Sequence, residues 1–326
     1  MNRSSVWLGG NAWILALAAG FALQGQAPVE RKYELKAESP SFWKLVAKGT
    51  PIKKVAGGFG FTEGPVWDER GFLYVSDERQ YKIFKVYPDG RSEAFSSIKD
   101  PDGSAFDKNR RLIDCASGLR AVIVVEADGT YKVLADKFEG KKFNSPNDVV
   151  LGPDGALYFT DPTLDLPKNE KQELEVKGVY RLGEDGSLKL LIKDLNQPNG
   201  LAFSPDGKKL YVDDSRERDI HVYDVAANGE MVNGRLFGKE EGPPRSGGPD
   251  GMKVDMKGNL FVTGPYGIWV WNPQGEHIGT VVLPEGAANL AWGDADYKTL
   301  YITATTSVYS LRTKTRGFVP GRGMRQ

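Results

Sequence analysis

Residues 199–225 read NGLAFSPDGKKLYVDDSRERDIHVYDV, and this stretch decides the fold. It opens with a polar pair, Asn199-Gly200, and continues with an apolar run, Leu201-Ala202-Phe203. A Pro-Asp-Gly turn at 205–207 precedes an apolar strand at 210–214, and a third strand follows at 220–224. Turn residues between short β-rich runs are typical of antiparallel hairpins. The stretch therefore predicts one unit of an all-β fold.

The same pattern occurs six times along the chain. The units begin at Glu63, Asp102, Asn147, Asn199, Asp250 and Asn289. A four-stranded sheet cannot bury both faces alone, so repeated sheets stack and close into a ring. Residues 50–312 therefore predict a six-bladed β-propeller with four-stranded antiparallel blades. Segment 52–55 is expected to add the outermost strand of the last blade. A pair of β-sandwiches is the alternative, and the regular repeat disfavours it.

The two ends of the chain differ from the repeats. Arg3, an apolar run at 7–23 and the small residues Gly25 and Ala27 resemble an export signal over residues 1–27. A single N-terminal membrane anchor is the alternative. Residues 28–49 are predicted to be a lead-in and residues 313–326 a flexible tail. These features predict a periplasmic or secreted protein with no stable membrane span after signal removal, and they leave its oligomeric state open.

Composition excludes several functional classes. Lys plus Arg number 43 and Asp plus Glu number 43, so no basic field exists to attract nucleic acid. Cys115 is the only cysteine, which excludes an intramolecular disulfide and a thiolate zinc site. The chain has no G-x-S-x-G elbow, no dinucleotide fingerprint and no P-loop. Metal-assisted chemistry is the enzymatic mechanism that remains.

The first residues of the six units all carry a side-chain oxygen. In a propeller they should meet around the axis at one mouth. Asn and Asp suit turns through local hydrogen bonds, which explains part of the pattern but not Glu63. Converging carboxylates and amides would repel or stay unpaired without a cation. Ca²⁺ prefers such oxygen ligands, so we expect one divalent cation, Ca²⁺ first, with Zn²⁺, Mn²⁺ or Mg²⁺ as alternatives.

Several motifs in these units resemble those of a known family. They are residues 61–67 (FTEGPVW), 143–149 (FNSPNDV), 159–162 (FTDP), 197–201 (QPNGL) and 249–252 (PDGM). With them the chain resembles the senescence-marker-protein/gluconolactonase, or regucalcin-like, family over residues 50–312. The resemblance implies a six-bladed propeller that hydrolyses lactones, typically of sugar acids. It also implies cation ligation by Glu63, Asn147, Asn199 and Asp250, with Asp250 as the catalytic proton-transfer residue.

The resemblance also implies substrate-binding residues, and here the chain departs from the family pattern. Bacterial members often have Cys-Glu-His-Gly where residues 115–118 are Cys-Ala-Ser-Gly. The family also often has an aromatic residue and a glycine after the Thr-Asp-Pro motif, where this chain has Thr163-Leu164-Asp165, so another pocket wall is changed. The predicted substrate-binding residues are Lys142, Asn144, Asn147 and Asp161. Lys142 could instead be a solvated loop lysine, and Asp161 could cap the turn before Pro162.

Three functions are compatible with these features. The first is a Ca²⁺-dependent hydrolase that opens a small polar lactone such as an aldonolactone. The second keeps the metal site but acts on aryl esters or organophosphates. The third is a non-catalytic ligand-binding propeller, for which the missing Glu-His pair is the argument. The sequence does not specify the lactone, its stereochemistry or whether catalysis is covalent.

Overall fold

A computed structural model describes residues 31–322, which contain β-strands and two short 3₁₀ helices. The predicted export signal and the first residues of the predicted lead-in lie outside this range. The described chain begins with β1 (Glu34–Ala37), a 3₁₀ helix (Pro40–Lys44) and β2 (Ile52–Gly57). Within residues 31–322, no helix has the length and apolar character needed to span a bilayer.

Six antiparallel blades follow, confirming the predicted propeller. Blade 1 contains β3 (Thr62–Asp68), β4 (Phe72–Asp77), β5 (Lys82–Val86) and β6 (Ser92–Ser97). Blade 2 contains β7 (Pro101–Phe106), β8 (Leu112–Ala116), a 3₁₀ helix (Ser117–Leu119), β9 (Ala121–Val125) and β10 (Tyr131–Ala135). A hairpin of β11 (Lys137–Phe138) and β12 (Lys141–Lys142) leads to blade 3. Blade 3 contains β13 (Val149–Leu151), β14 (Leu157–Asp161), β15 (Gly178–Leu182) and β16 (Leu188–Ile192).

The second half of the ring repeats this order. Blade 4 contains β17 (Pro198–Phe203), β18 (Lys209–Asp214), β19 (Asp219–Val225) and β20 (Met231–Lys239). Blade 5 contains β21 (Met252–Val254), β22 (Leu260–Gly264), β23 (Gly267–Trp271) and β24 (His277–Val282). Blade 6 contains β25 (Ala287–Gly293), β26 (Thr299–Ala304) and β27 (Ser307–Arg312). Each first strand contacts the first strands of both neighbouring blades, and β25 contacts β3 to complete the circle.

The N-terminal segment closes the ring. Strand β2 pairs antiparallel with β27, with Ile52 opposite Leu311, so the predicted closing strand is confirmed. Strand β1 pairs with β24 and gives blade 5 a fifth strand. Phe42 of the following 3₁₀ helix is fully buried. The segment before β2 is therefore part of the folded propeller.

The hydrophobic core lies between the blades, because each sheet is covered on both faces. Second strands such as β8 and β14 have every residue buried. Their sequences are nearly continuous apolar runs, as expected for strands covered on both sides. Aromatic pairs fill the space between sheets, as where Tyr158 of blade 3 packs edge-to-face against Phe203 of blade 4 with ring centroids 4.9 Å apart. This packing fixes the six first strands around the axis.

The C-terminal segment differs from the flexible tail predicted from residue 313. Residues 313–322 lie against the propeller: Thr315 is buried and its Oγ1 donates to Asp255 Oδ2 over 2.7 Å. The Phe318 amide donates to the Val254 carbonyl, and Gly317 bridges to Asp255. A Cβ on Gly317 would lie 1.8 Å from Trp292, so the polar and Gly-rich composition reflects close packing here. Residues 323–326 lie outside the described range.

Candidate metal centre and active site

The six first strands bring the predicted ring residues to one end of the central channel. Register shifts occur where the first strand meets the second in blades 1, 2, 4 and 6, next to the ring positions. Such bulges re-aim side chains and are frequent at functional sites. Gly64 has φ +46, and a Cβ there would lie 1.9 Å from the Asp102 carbonyl. A Cβ on Gly200 would lie 1.9 Å from the Asp250 carbonyl, so glycine allows neighbouring ring residues to approach.

Glu63 occupies the ring position of blade 1 and is 2% exposed. Its Oε2 accepts hydrogen bonds from the Gly64 amide (2.7 Å) and from Asn289 Nδ2 (2.9 Å). Its Oε1 is buried and has no hydrogen-bond partner among residues 31–322. Burial, with a smaller contribution from Asp148, raises the pKa of Glu63 to about 7. A buried carboxylate oxygen without a partner is costly, so this atom needs a ligand that the protein chain does not supply.

Asn147 occupies the ring position of blade 3 and is held by Asp102 of blade 2. Its Nδ2 donates to Asp102 Oδ2 over 2.8 Å. Ser117 Oγ lies 2.9 Å from the same carboxylate oxygen and 2.7 Å from the Pro146 carbonyl. The amide nitrogen is thus engaged, which leaves the amide oxygen of Asn147 as the atom that could coordinate a cation. Ser117 is 1% exposed and acts on Asp102 rather than on a substrate.

Asp250 and Asn199 complete the predicted quartet. The Asn199 amide donates a hydrogen bond to Asp250, but burial and then the charge of Glu63 raise the pKa of Asp250 well above its usual range. Asn199 is 4% exposed, whereas Asp250 retains some accessible surface. Asp250 therefore has the access that a proton-transfer residue requires.

Two further carboxylates lie at this mouth that the sequence did not assign. Asp165 Oδ2 lies 3.4 Å from Asn147 Nδ2, and burial raises the pKa of Asp165. Burial, followed by Glu63 and Asp165, raises the pKa of Glu78 to about 10. Asp165 comes from residues 162–177 between β14 and β15, whereas the corresponding segments of the other blades have two to four residues. The long separation between the apolar strands at 157–161 and 178–182 is the sequence signal that could have identified Asp165.

The residues at the mouth fit a divalent cation. Burial and then neighbouring carboxylates, led by Glu78, raise the pKa of Asp102 well above its usual range. Glu63 has only one cation, Lys253, among its main electrostatic neighbours. Within residues 31–322, no set of three or more His, Cys, Asp or Glu side chains could hold a metal ion by itself. Any cation here would therefore depend on the amides of Asn147 and Asn199 as well as on carboxylates. Mixed carboxylate and amide oxygens are the donor set that Ca²⁺ prefers.

Two predicted substrate-binding residues have structural partners instead. Asp161 Oδ2 accepts from the Asn144 amide over 2.9 Å, and Asn144 Nδ2 donates to the Asp161 carbonyl over 3.1 Å. Asp77 of blade 1 and Asp214 of blade 4 accept backbone amides in the same way from the loops that precede their first strands. Asn144 and Asp161 are both 0% exposed. These bonds position the loop before Asn147, and a contact of Asn144 or Asp161 with substrate stays a prediction.

Lys142 lies on β12 beside the 162–177 segment. Its ammonium is 3.4 Å from Glu170 Oε2, and its amide donates to Glu173 Oε2 over 2.9 Å. The buried Arg120 binds the same Glu170 over 2.6 Å and the Phe143 carbonyl over 2.6 Å. Lys142 thus helps to hold the segment that carries Asp165. A direct contact between Lys142 and a substrate stays a prediction.

Comparison with known proteins agrees with the fold and the motifs. A gluconolactonase from Zymomonas mobilis is 35% identical over 306 residues, covering 86% of each chain. A diisopropyl-fluorophosphatase from Loligo vulgaris is 26% identical over 239 residues, covering 65% of this chain and 75% of its own. The solved gluconolactonase structure from Xanthomonas campestris matches with a TM-score of 0.79 and 30% identity, covering 86% of this chain and 94% of that one.

The family model described as "SMP-30/Gluconolactonase/LRE-like region" matches residues 61–306. This range runs from the residues just before the ring position of blade 1 to the loop between β26 and β27. It includes all six ring positions and the segment that carries Asp165. The chain therefore belongs to the SMP-30/gluconolactonase/LRE-like family.

Proposed function

We propose that this protein is a divalent-cation-dependent hydrolase that opens a small polar lactone such as an aldonolactone, with Ca²⁺ as its cation. The observation that carries the proposal is the buried, unpartnered Oε1 of Glu63 at a mouth where amide and carboxylate side chains converge. The gluconolactonases from Zymomonas mobilis and Xanthomonas campestris support the lactone as substrate class. The raised pKa values of Glu63, Asp102 and Asp250 support a cation, because a bound cation would stabilise their ionised forms.

The quartet of Glu63, Asn147, Asn199 and Asp250 would hold the cation. A divalent cation bound there would polarise the lactone carbonyl and stabilise the negative charge that develops on its oxygen. Asp102 holds Asn147 through a 2.8 Å hydrogen bond, and Asn289 holds Glu63 through one of 2.9 Å. Both would therefore act on the ligands of the cation rather than on the cation itself.

Asp250 would move the proton. As water attacks the carbonyl carbon, Asp250 accepts a proton from that water. The bond between the carbonyl carbon and the ring oxygen then breaks, and Asp250 returns the proton to the departing alkoxide. The product is the open hydroxy acid, and Asp250 ends the cycle as a carboxylate.

Asp165 and Glu78 would form the wall of the pocket. Carboxyl groups at the mouth can accept hydrogen bonds from the hydroxyls of a sugar lactone. An unsubstituted aliphatic lactone would leave these buried polar groups without partners. The wall therefore favours a hydroxylated lactone over an apolar one.

The test is hydrolysis of matched sugar and aliphatic lactones, followed by proton release, with chelator-treated enzyme before and after Ca²⁺ is restored. We expect Ca²⁺ to restore turnover of the sugar lactones, and Asp250→Asn to lower kcat by at least about a hundredfold. Asp185→Asn, in an exposed turn, is the matched control. Turnover that survives complete chelation would contradict the mechanism.

A phosphotriesterase-type or arylesterase activity is the second candidate, supported by the likeness to the Loligo vulgaris diisopropyl-fluorophosphatase. It would use the same cation and a different pocket wall. Turnover of an organophosphate or aryl ester, with no lactone turned over, would favour it. If the cation binds while no ester, lactone or organophosphate is hydrolysed, the protein is a ligand-binding propeller.

We also propose that the protein acts in the periplasm or outside the cell, on the basis of the signal-like residues 1–27. Cell fractionation of the full chain tests this, with the mature N-terminus read by mass spectrometry. Recovery of uncleaved protein in the cytosol would contradict it.

A further inference from the structure

The central channel has a second compartment at the end away from the candidate metal centre. The ends of the first strands line it with apolar side chains from every blade: Trp67, Phe106, Leu151, Phe203, Val254 and Trp292. Phe318, Val319 and Pro320 of the C-terminal segment also line it. This lower chamber encloses about 720 Å³ of empty space, including the part that opens to solvent. Its mainly apolar lining is typical of a small-molecule site.

Polar groups separate the lower chamber from the metal mouth. Lys253 Nζ donates to the Met252 carbonyl over 3.0 Å and to Asn289 Oδ1 over 3.3 Å. Lys253 also acts electrostatically on Asp148 and on Glu63, which lie on the mouth side. A ligand in the lower chamber would therefore occupy a different site from the lactone.

The rim of the chamber carries the guanidinium of Arg110. The Arg110 guanidinium lies 3.7 Å from the ring centroid of Phe106, and no hydrogen bond or ion pair joins it to any side chain among residues 31–322. The nearby carboxylates already have partners, since Asp68 is paired with Arg70 and Glu69 with Arg322. Partial burial and then the neighbouring Arg322 lower the pKa of Arg110, and the smaller opposing effects of Asp68 and Glu69 do not offset them. An anion at this position would therefore favour the charged guanidinium.

We propose that the lower chamber binds a small amphipathic monocarboxylate, with its apolar body among the aromatic side chains and its carboxylate on Arg110. The apolar lining excludes a sugar, because it would leave the sugar hydroxyls unpaired. The guanidinium favours a carboxylate over a neutral alcohol of the same length, because their hydrogen bonds are charge-assisted. This site is independent of the proposed lactone hydrolysis.

Trp67 and Trp292 make the proposal measurable, because both line the chamber. A bromine-substituted decanoate quenches tryptophan fluorescence only on close contact. We expect saturable quenching of the full chain that is unchanged by chelator or Ca²⁺. Arg110→Gln, an exposed position, should weaken binding about tenfold, since one charge-assisted contact is lost. Ala105→Leu should weaken it further, because Ala105 lines the chamber and the larger side chain fills it.

The matched probe is the corresponding bromodecanol, which should bind more weakly and be unaffected by Arg110→Gln. Double replacement Trp67→Phe and Trp292→Phe should remove most of the saturable quenching. Equal affinity of the acid for the wild type and Arg110→Gln would overturn the proposal. It would also be overturned by quenching that does not saturate, or that disappears when the cation is removed. None of these outcomes depends on whether a lactone is hydrolysed.

Discussion

Asn289 Nδ2 donates a 2.9 Å hydrogen bond to Glu63 Oε2 and thereby joins the last blade to the first. The two residues are 226 positions apart in the chain, and both are nearly fully buried. The bond holds one carboxylate oxygen of Glu63 and leaves the other, Oε1, without a hydrogen-bond partner in the part of the chain that the structure describes. Closure of the propeller and preparation of the cation site thus share one contact.

Replacing Asn289 by Ala should weaken cation binding. Without the amide, Glu63 loses a donor that favours its ionised form, and the pKa of Glu63 should rise further. We expect the Kd for Ca²⁺ to rise about tenfold, which corresponds to about 1.4 kcal/mol. Isothermal titration calorimetry measures this directly. Asn233→Ala removes an exposed amide that contacts Asp224 and should leave the Kd unchanged. An unchanged Kd for Asn289→Ala would show that Asn289 serves ring closure alone.

The repeat made the fold and the ring positions predictable. Turn residues, short apolar strands and a polar residue at the start of each unit are local features of the sequence. A closed ring is the arrangement that buries the apolar strands. The first strands then had to meet at the axis, so Glu63, Asn147, Asn199 and Asp250 could be placed together before any coordinates. The bulges beside Glu63 and Asn199 could not be foreseen, because they depend on pairing between strands rather than on composition.

Sequence reasoning was weaker for side chains whose role depends on a neighbour. Asp161 follows a motif and suggests a pocket residue, yet its carboxylate holds backbone amides as Asp77 and Asp214 do. Asp165 belongs to a stretch that was expected only to alter a pocket wall, and its place beside Asn147 depends on how residues 162–177 fold back. The C-terminal segment was read as flexible from its composition, although its threonines and glycine fit specific contacts.

Ser117 should prove to be a positioning residue. It is buried and lies between Asp102 and the Pro146 carbonyl, so Ser117→Ala removes support from the loop that carries Asn147. We expect a loss of about 1 kcal/mol in stability and a several-fold weaker affinity for Ca²⁺, with KM for the lactone unchanged at saturating cation. Urea unfolding and kinetics at varied Ca²⁺ separate these effects. Ser187→Ala, which removes an exposed hydroxyl bonded to Asp185, is the control. A rise in KM at saturating cation would instead place Ser117 in contact with substrate.

The C-terminal segment should contribute measurably to stability. A chain ending at Arg312 would lose the Thr315 contact with the buried Asp255 and the amide contact from Phe318 to Val254. A buried carboxylate left short of a donor costs about 1–3 kcal/mol. We expect Tm to fall by several degrees, as measured by differential scanning calorimetry. Thr315→Val removes only the donated hydrogen bond and should give part of the loss. A chain ending at Arg322 keeps all these contacts and the pairing of Arg322 with Glu69, and it should melt like the full chain.

Asp114 should make stability depend on pH near neutrality. It is fully buried, and burial raises its pKa from 3.8 to about 7 although Ser104 and Ser76 donate to it. The folded state therefore keeps the proton that the unfolded chain has lost. The contribution of Asp114 to the free energy of unfolding is fully present below about pH 3.8 and is lost as pH rises through about 7. Between these values the wild type should lose about 1.4 kcal/mol of unfolding free energy per pH unit through this residue.

Asp114→Asn keeps the shape of the side chain and removes the titration. Urea unfolding at several pH values between about 5 and 7 measures how the free energy of unfolding declines with pH. The decline should be shallower for the variant than for the wild type, by at most the slope that one bound proton contributes. Asp128→Asn is the matched control, because hydrogen bonds from Thr130 lower the pKa of Asp128 and place its titration below this window. The control should follow the wild-type slope. Parallel curves for Asp114→Asn and the wild type would mean that Asp114 is ionised in the fold, in which case the hydroxyls of Ser76 and Ser104 outweigh its burial.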